Sequence, residues 1–273
     1  MTVRASIIVI GDEILDGHTR DTNSGWLAGW LSARGVTLDR VVTLPDEEAA
    51  IGEALTGELG RSANRLLLTS GGIGSTPDDL TMKAVAAHLG VRLEAHPVLD
   101  ERISAWAAQA LEEGVAIPAG QQRAMRKMAL VPHGAYLLEG VTGFTPGVAL
   151  DLSGGVLHGG ATLVILPGVP SELRRITEQG VEGLVAGLTR PDPVVELRHP
   201  YPESALTPLL EELVAEHPDV QIGSYPGHEC VLRLKGPAPA VEVVARRLRD
   251  RLDALAGDED AQWMSARWQA HWE

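Results

Sequence analysis

Thr69-Ser70-Gly71-Gly72-Ile73-Gly74-Ser75-Thr76-Pro77-Asp78-Asp79-Leu80-Thr81 is the stretch that decides how the chain is read. It begins where the apolar run Leu66-Leu67-Leu68 ends, crosses three glycines, and leads into an amphipathic run with Met82, Val85, Ala86 and Leu89. The apolar run has the character of a parallel strand buried on both faces. Glycines let backbone N–H groups approach a ligand closely. Thr76 is placed to cap a helix, with Pro77 at its first position and Asp79 closing a capping box. Strand, glycine turn and helix start together make an anion site, and phosphate is the usual anion. The amides of Gly71, Gly72, Gly74, Ser75 and Thr76 are the candidate phosphate donors, and Asp78 and Asp79 beside them suggest a divalent metal or a general base. The same residues also suit a plain capped turn in which both aspartates only complement the helix dipole.

Working outward, Ser6-Ile7-Ile8-Val9-Ile10 reads as a central strand ended by Gly11, and Thr22 or Asn23 caps a helix carrying Trp26, Leu27, Trp30 and Leu31. A second strand from Val36 to Leu44 leads into Pro45-Asp46-Glu47-Glu48, which opens another helix. Strands alternating with helices predict right-handed βαβ units and a doubly wound, mostly parallel α/β sheet. Ligands in such sheets sit beyond the carboxyl ends of the strands, where Gly11 to Asn23, Pro45 to Glu47 and Gly71 to Thr81 all fall. Helices follow at about 98–113 and 119–128. Short strands are expected around Tyr136, Val148 and Thr162, then a strand-to-helix turn Pro167-Gly168-Val169-Pro170-Ser171-Glu172. Gly154-Gly155 and Gly159-Gly160 suggest hairpin turns. Arg190-Pro191-Asp192-Pro193 looks like a linker, giving one domain over 1–190 and a smaller α+β domain over 191–273. In the tail, Met264, Trp268 and Trp272 form an apolar stripe that docks on its own domain or makes a subunit contact; a homo-oligomer is the expected state.

The 273 residues, 44% hydrophobic and 22% charged, describe a folded chain with a full core. A net charge of −14 argues against a nucleic-acid partner, because only a local patch could offset phosphate repulsion. Cys230 is the only cysteine, so neither an intramolecular disulfide nor a zinc–thiolate cluster is available, and its apolar neighbours make it a core thiol. The N-terminal run turns acidic too soon for a signal peptide and no stretch is long enough to span a membrane, so a cytoplasmic location is expected. His88, His96 and His133 lack metal-ligand spacing, and Arg123, Arg126, Arg174 and Arg175 are either phosphate partners or solvated surface.

Gly11-Asp12-Glu13-Ile14-Leu15-Asp16-Gly17 followed by Asp21-Thr22-Asn23 resembles the opening motif of the competence/damage-inducible (CinA) family. The glycine turn with Thr76, Asp78, Asp79 and Thr81, and Leu166-Pro167-Gly168-Val169-Pro170-Ser171-Glu172, continue the likeness. Residues 5–187 thereby resemble the molybdopterin-binding, MoaB/MogA-like domain, and about 193–256 is similar to the KH-like middle domain of that family. The family's C-terminal deamidase domain has no expected counterpart here. The resemblance implies that Asp46, in Pro45-Asp46-Glu47, and Asp79, before Leu80-Thr81, act at a pterin site. It also implies metal-dependent hydrolysis of a nucleotide pyrophosphate such as ADP-ribose. Asp46 and Asp79 would then hold Mg²⁺, Mn²⁺ or Co²⁺, with Asp78 as base or supporting group. Glu13 and Asn23 would orient a ribose or a metal-bound water, and Pro167, Gly168, Ser171 and Glu172 belong to the substrate turn. The alternative is a pterin- or molybdopterin-binding protein without catalysis. A nucleic-acid role for the small domain ranks last, for want of a basic Gly-x-x-Gly clamp. The chain departs from the family at Ser75, at Met125-Arg126-Lys127-Met128 and at Gly140-Val141-Thr142-Gly143-Phe144-Thr145-Pro146-Gly147, which predicts lost polar substrate contacts.

Overall fold

The computed structural model describes residues 3–61, 64–138, 145, 147–187 and 189–272. Of the divergent segment 140–147, only Thr145 and Gly147 fall within them. The chain divides into two compact units, Met1–Pro191 and Asp192–Glu273.

Unit 1 runs β1 (Arg4–Ile10), α1 (Asp12–Leu15), α2 (Asn23–Ser32), β2 (Thr37–Leu44), α3 (Glu48–Leu59), β3 (Arg65–Ser70), α4 (Thr81–Leu89), β4 (Leu93–Ala95), α5 (Pro97–Glu112) and α6 (Ala119–Lys127). It continues through β5 (Leu130–Pro132), β6 (Tyr136–Leu137), β7 (Val148–Leu152), β8 (Ala161–Leu166), α7 (Pro170–Ile176) and α8 (Glu182–Val185). The main sheet has the order β2-β1-β3-β8-β7-β6; its first four strands are parallel and β7 and β6 are antiparallel. β4 and β5 form a separate two-stranded sheet that the sequence pattern does not announce.

Alternating side chains of the central strands enter opposite cores. Ala5, Ile7 and Val9 join Leu66, Leu68, Val164 and Leu166 under α2, α7 and α8. Ile8 and Ile10 join Leu67, Leu163 and Ile165 under α3, α4 and α5. Both faces of the sheet are therefore covered, which is the doubly wound, mostly parallel α/β arrangement. The glycines at 154, 155 and 159, all at positive φ, do lie in the hairpin joining β7 to β8.

Two helix starts differ from the expected ones, and a third, that of α2 at Asn23 after Thr22, stands where expected but is capped by another side chain. The helix after the glycine turn begins at Thr81 rather than Pro77. One bond of the capping box forms, from the Thr76 amide to Asp79 Oδ2 at 2.8 Å, but the Thr76 hydroxyl donates to the same oxygen at 2.5 Å and the Asp79 amide goes to Thr76 O, so the bonds close a separate turn. Asp21, not Thr22 or Asn23, takes the free amides at the start of α2, accepting from the Asn23 and Ser24 N–H groups at 2.9 and 3.0 Å. α3 begins at Glu48, so Asp46 stays in the preceding turn.

The amino ends of the strands carry a buried ion cluster. Arg65, 1% exposed, forks onto Asp39 at 3.0 and 3.1 Å, and its guanidinium also bonds Ser6 and lies near the buried Glu58. The Arg65 hydrogen bonds hold the Asp39 carboxyl below its usual range. Breaking one partner of such a buried set strands an unpaired charge, a costly outcome.

Unit 2 comprises β9 (Val194–His199), α9 (Thr207–Glu216), β10 (Gln221–Tyr225), β11 (Cys230–Lys235), α10 (Ala238–Ala256) and α11 (Glu259–Ala270). Its sheet is antiparallel in the order β10-β11-β9. Cys230 is a buried free thiol, as its neighbours suggest. The tail stripe docks only in part. Ala261 and Ser265 are the buried residues of α11, and Trp268 donates to Gly227 O at 3.0 Å. Met264 and Trp272 stay exposed, since the inward face of this helix is set by the small residues, not by the largest apolar ones.

His199 is 2% exposed, faces Cys230 across the strand pair, and stacks on Tyr201 at 6.2 Å. Neither ring nitrogen makes a hydrogen bond of normal geometry. Burial lowers its pKa, while the Tyr201 backbone, Glu203 and Glu229 pull the other way. The folded form therefore resists a proton that the unfolded chain takes up below its ordinary value of about 6.5. Stability should be complete above that pH and fall on acidification through it. We expect the melting temperature of unit 2 to drop between about pH 7.5 and 5.5, and His199→Phe to flatten that slope; equal slopes in the two proteins would contradict this.

Candidate functional site

At the carboxyl edge of the sheet the ends of β2, β1, β3 and β8 are stitched together. Gly11 N donates to Leu44 O and Gly71 N to Leu166 O, each at 3.1 Å. Gly71, at φ 109°, lies so close to β1 that a Cβ would sit 2.1 Å from Ile10 O. Gly72, at φ 66°, leaves 2.3 Å between such an atom and Thr81 Oγ1. Thr81 fastens the turn from the other side, its hydroxyl donating to Gly71 O at 2.9 Å and its amide to Gly72 O at 3.0 Å.

Around this turn opens a cavity of about 350 Å³. Ten of the residues expected at a site line it: Glu13, Asp46, Gly71, Gly72, Gly74, Asp78, Asp79, Pro167, Gly168 and Glu172. Asp46 and Asp79, 33 positions apart in the chain, thus meet at one cleft. Ile10, Gly11, Ile73, Thr145 and Val169 complete the wall. Thr145, which falls in the segment that departs from the family, is not among the residues expected at the site; it is held there by Glu172, whose Oε2 accepts from the Thr145 hydroxyl at 2.7 Å.

Four expected residues do not line the cavity. Asn23 is 8% exposed and acts beneath it: its Nδ2 donates to Ser70 Oγ at 3.0 Å and Gly168 O at 2.8 Å, tying the end of β3 to the turn after β8. Thr76 turns toward Asp79, and its carbonyl accepts from Lys127. Ser75 is half-buried next to it, and Ser171 is exposed on the first turn of α7. Of the expected phosphate donors, the Gly71 and Thr76 amides are already bonded within the protein. The amides of Gly72, Gly74 and Ser75 make no hydrogen bond among the described residues.

The lining is acidic: Glu13, Asp46, Asp78, Asp79 and Glu172, with no lysine or arginine among the described residues. Burial raises the Asp46 pKa, and the neighbouring Asp12, Glu13 and Asp78 carboxylates raise it further against the 3.0 Å hydrogen bond from the Asp12 amide. Asp78 is exposed and is held below its usual range by the Thr76 hydroxyl, its own amide and the Lys127 ammonium. The hydrogen bond of normal geometry from that hydroxyl goes to Asp79.

Among the described residues no three His, Cys, Asp or Glu side chains are grouped as a metal-ligand set. One oxygen of Asp46 accepts from the Asp12 amide and one of Asp79 from Thr76, which leaves the second oxygen of each carboxylate for a ligand. Arg174 lies over the Trp26 ring at 5.6 Å, and it does not line the cavity; nor do Arg123, Arg126 and Arg175.

The family model described as a probable molybdopterin binding domain matches residues 6–186. The chain belongs to that family. It is also CinA-like: the CinA-like protein of Geobacter sp. is 33% identical over 97% of this chain and 62% of its own length. That of Mycolicibacterium gilvum is 38% identical over 66% of this chain and 41% of its own. The chain thus spans about half of these two relatives. A protein of Aeropyrum pernix matches at 35% over 89% of this chain and 85% of its own length. Among solved structures, the CinA protein of Thermoplasma acidophilum, described as having unknown function, is similar with a TM-score of 0.53 and 29% identity, covering 65% of this chain and 95% of that one.

A raised folded-state pKa means that ionised Asp46 costs stability at neutral pH, a cost absent once the group is protonated below its unfolded value. Asp46→Asn keeps an acceptor for the Asp12 amide and removes the charge. We expect the variant to melt no lower than the parent at pH 7.5, and the difference between them to vanish toward pH 4. A variant that melts several degrees lower at pH 7.5 would make Asp46 a structural residue instead.

Proposed function

We propose that unit 1 binds a pterin-type ligand of the molybdopterin kind in the cavity at the carboxyl edge of its sheet. One observation carries the reading: among the described residues the wall pairs five carboxylates with apolar surface from Ile10, Ile73, Pro167 and Val169, and no cationic side chain. The amino-pyrimidinone edge of a pterin is rich in N–H donors, and a carboxylate is an acceptor that such an edge can engage through two parallel bonds. The flat ring fits between apolar walls. A terminal phosphate would go to the amides of Gly72, Gly74 and Ser75, away from the carboxylates. Family membership over residues 6–186 supports the same ligand class.

A second reading, metal-dependent hydrolysis of a nucleotide pyrophosphate such as ADP-ribose, draws on the same carboxylates. Their uncompensated charge is what Mg²⁺, Mn²⁺ or Co²⁺ would relieve. The ungrouped donors speak against it, so we derive no step through a metal ion.

Two measurements on the full chain separate the readings. Titration with a phosphorylated 6-substituted pterin should show saturable binding, weakened about tenfold or more by Asp46→Asn through loss of a charge-assisted contact. ADP-ribose with each cation, with and without chelator, should release no AMP. Chelator-sensitive AMP release that falls about a hundredfold in Asp79→Asn would establish the hydrolase instead. Absence of both pterin binding and turnover would refute the site.

A further inference from the structure

β2 is the outermost strand of the main sheet, and among the described residues no strand pairs with its outer side. Its first half is guarded. The register to β1 passes from Leu38 to Arg40, so Asp39 forms a bulge and turns onto the buried Arg65. Bulges and charges are how proteins blunt a free strand. The second half, Val41-Val42-Thr43-Leu44, has neither: it is rich in β-branched residues and pairs one for one with Ile7 to Ile10. Val41 is 44% exposed. One bond tells which backbone groups are free. Leu44 O accepts from Gly11 N on the β1 side, and successive residues of a strand turn their N–H and C=O to opposite sides. Val42 therefore also faces β1, while Val41 and Thr43 direct both groups outward. Beside the strand runs a groove of about 350 Å³ between Arg40, Val42 and Leu44 on one wall and Ala50, Ala54 and Gly57 of α3 on the other. The α3 wall is low because those three residues carry at most a methyl group.

We propose that this half-strand is a dimer surface, on which β2 pairs antiparallel with β2 of a second copy about a two-fold axis at Val42. Two constraints set that register. Val41 opposite the partner's Thr43, and Thr43 opposite the partner's Val41, give every outward N–H and C=O a partner and form four hydrogen bonds. A slip one way would oppose Thr43 to the bulged Asp39, and a slip the other way would oppose Val41 to Pro45, which has no N–H. In the proposed register Val42 meets its own copy and Arg40 lies opposite the partner's Leu44. α3 runs back along β2, so the Leu44 end of the groove is the one that holds Ala50 and the exposed Glu53, a charge opposite to that of Arg40. The two six-stranded sheets become one, with the two cavities at opposite ends of it.

Sedimentation equilibrium of the full chain, diluted from about 200 to about 2 µM, should show a dimer that dissociates, since a small interface gives micromolar affinity. Thr43→Pro should weaken the dimer at least about tenfold by removing two of its four hydrogen bonds. The monomer should melt as the parent does, because that N–H faces away from β1. Val41→Lys leaves every backbone group in place and should weaken the dimer too, by repulsion and by desolvation of the charge. Val42→Cys should form a covalent dimer under mild oxidation, as the only native cysteine is buried. Val41→Cys should not, because its two copies stand diagonally, about 7 Å apart and beyond disulfide reach. A monomer at every concentration, an assembly that both Thr43→Pro and Val41→Lys leave whole, or equal cross-linking through positions 41 and 42 would overturn the proposal.

Discussion

Three parallel strands, β1, β3 and β8, are hydrogen-bonded side by side and buried on both faces, and that constraint organises the first unit. A strand with no solvent-facing side must have helices above and below it, and parallel neighbours must be joined by crossovers. The crossovers bring every strand out at the same edge. The glycine turn, the Pro45-Asp46 turn and the Pro167-Gly168 turn are therefore neighbours although the sequence scatters them. Asn23 and Thr81 then fix the spacing between these turns through bonds to backbone carbonyls. The opposite edge is held by Arg65, whose fork onto Asp39 links β3 to β2 across β1.

The edge so assembled concentrates negative charge. Five carboxylates line one small cavity, and burial together with mutual repulsion already shows in the raised pKa of Asp46. Such a site favours ligands that present hydrogen-bond donors and disfavours a bare anion anywhere but on the amides of the glycine turn. In the second unit Arg198, Arg233 and Lys235 share one face of the β9–β11 sheet, while the other arginines stand on α10 and α11.

The main elements were legible because their signals are local. Uninterrupted apolar runs marked β1, β3 and β8; helical periodicity placed α5 and α6 within a residue or two; and the motifs flanking the strands located the cavity. Features that rest on partners distant in sequence were not. The late start of α4 depends on Thr81 reaching back to Gly71 and Gly72, and the orientation of α11 on what its small residues meet. Neither Arg65 nor Thr145 carries a pattern of its own; each acquires its role from a carboxylate elsewhere in the chain.

By itself the sequence determined the doubly wound α/β class, the family, and the cluster of loops that forms the site, since periodicity, glycine turns and ordered motifs are written in neighbouring residues. Only the tertiary structure decided which of those loop residues face the cavity and which support it. Asn23 was drawn beneath the floor and Thr76 turned away, because buried carbonyls and carboxylates must find donors and the nearest ones were these. A hydrogen bond across 145 residues has no trace in local sequence, and that bond, not the motif, fixed the role of Asn23.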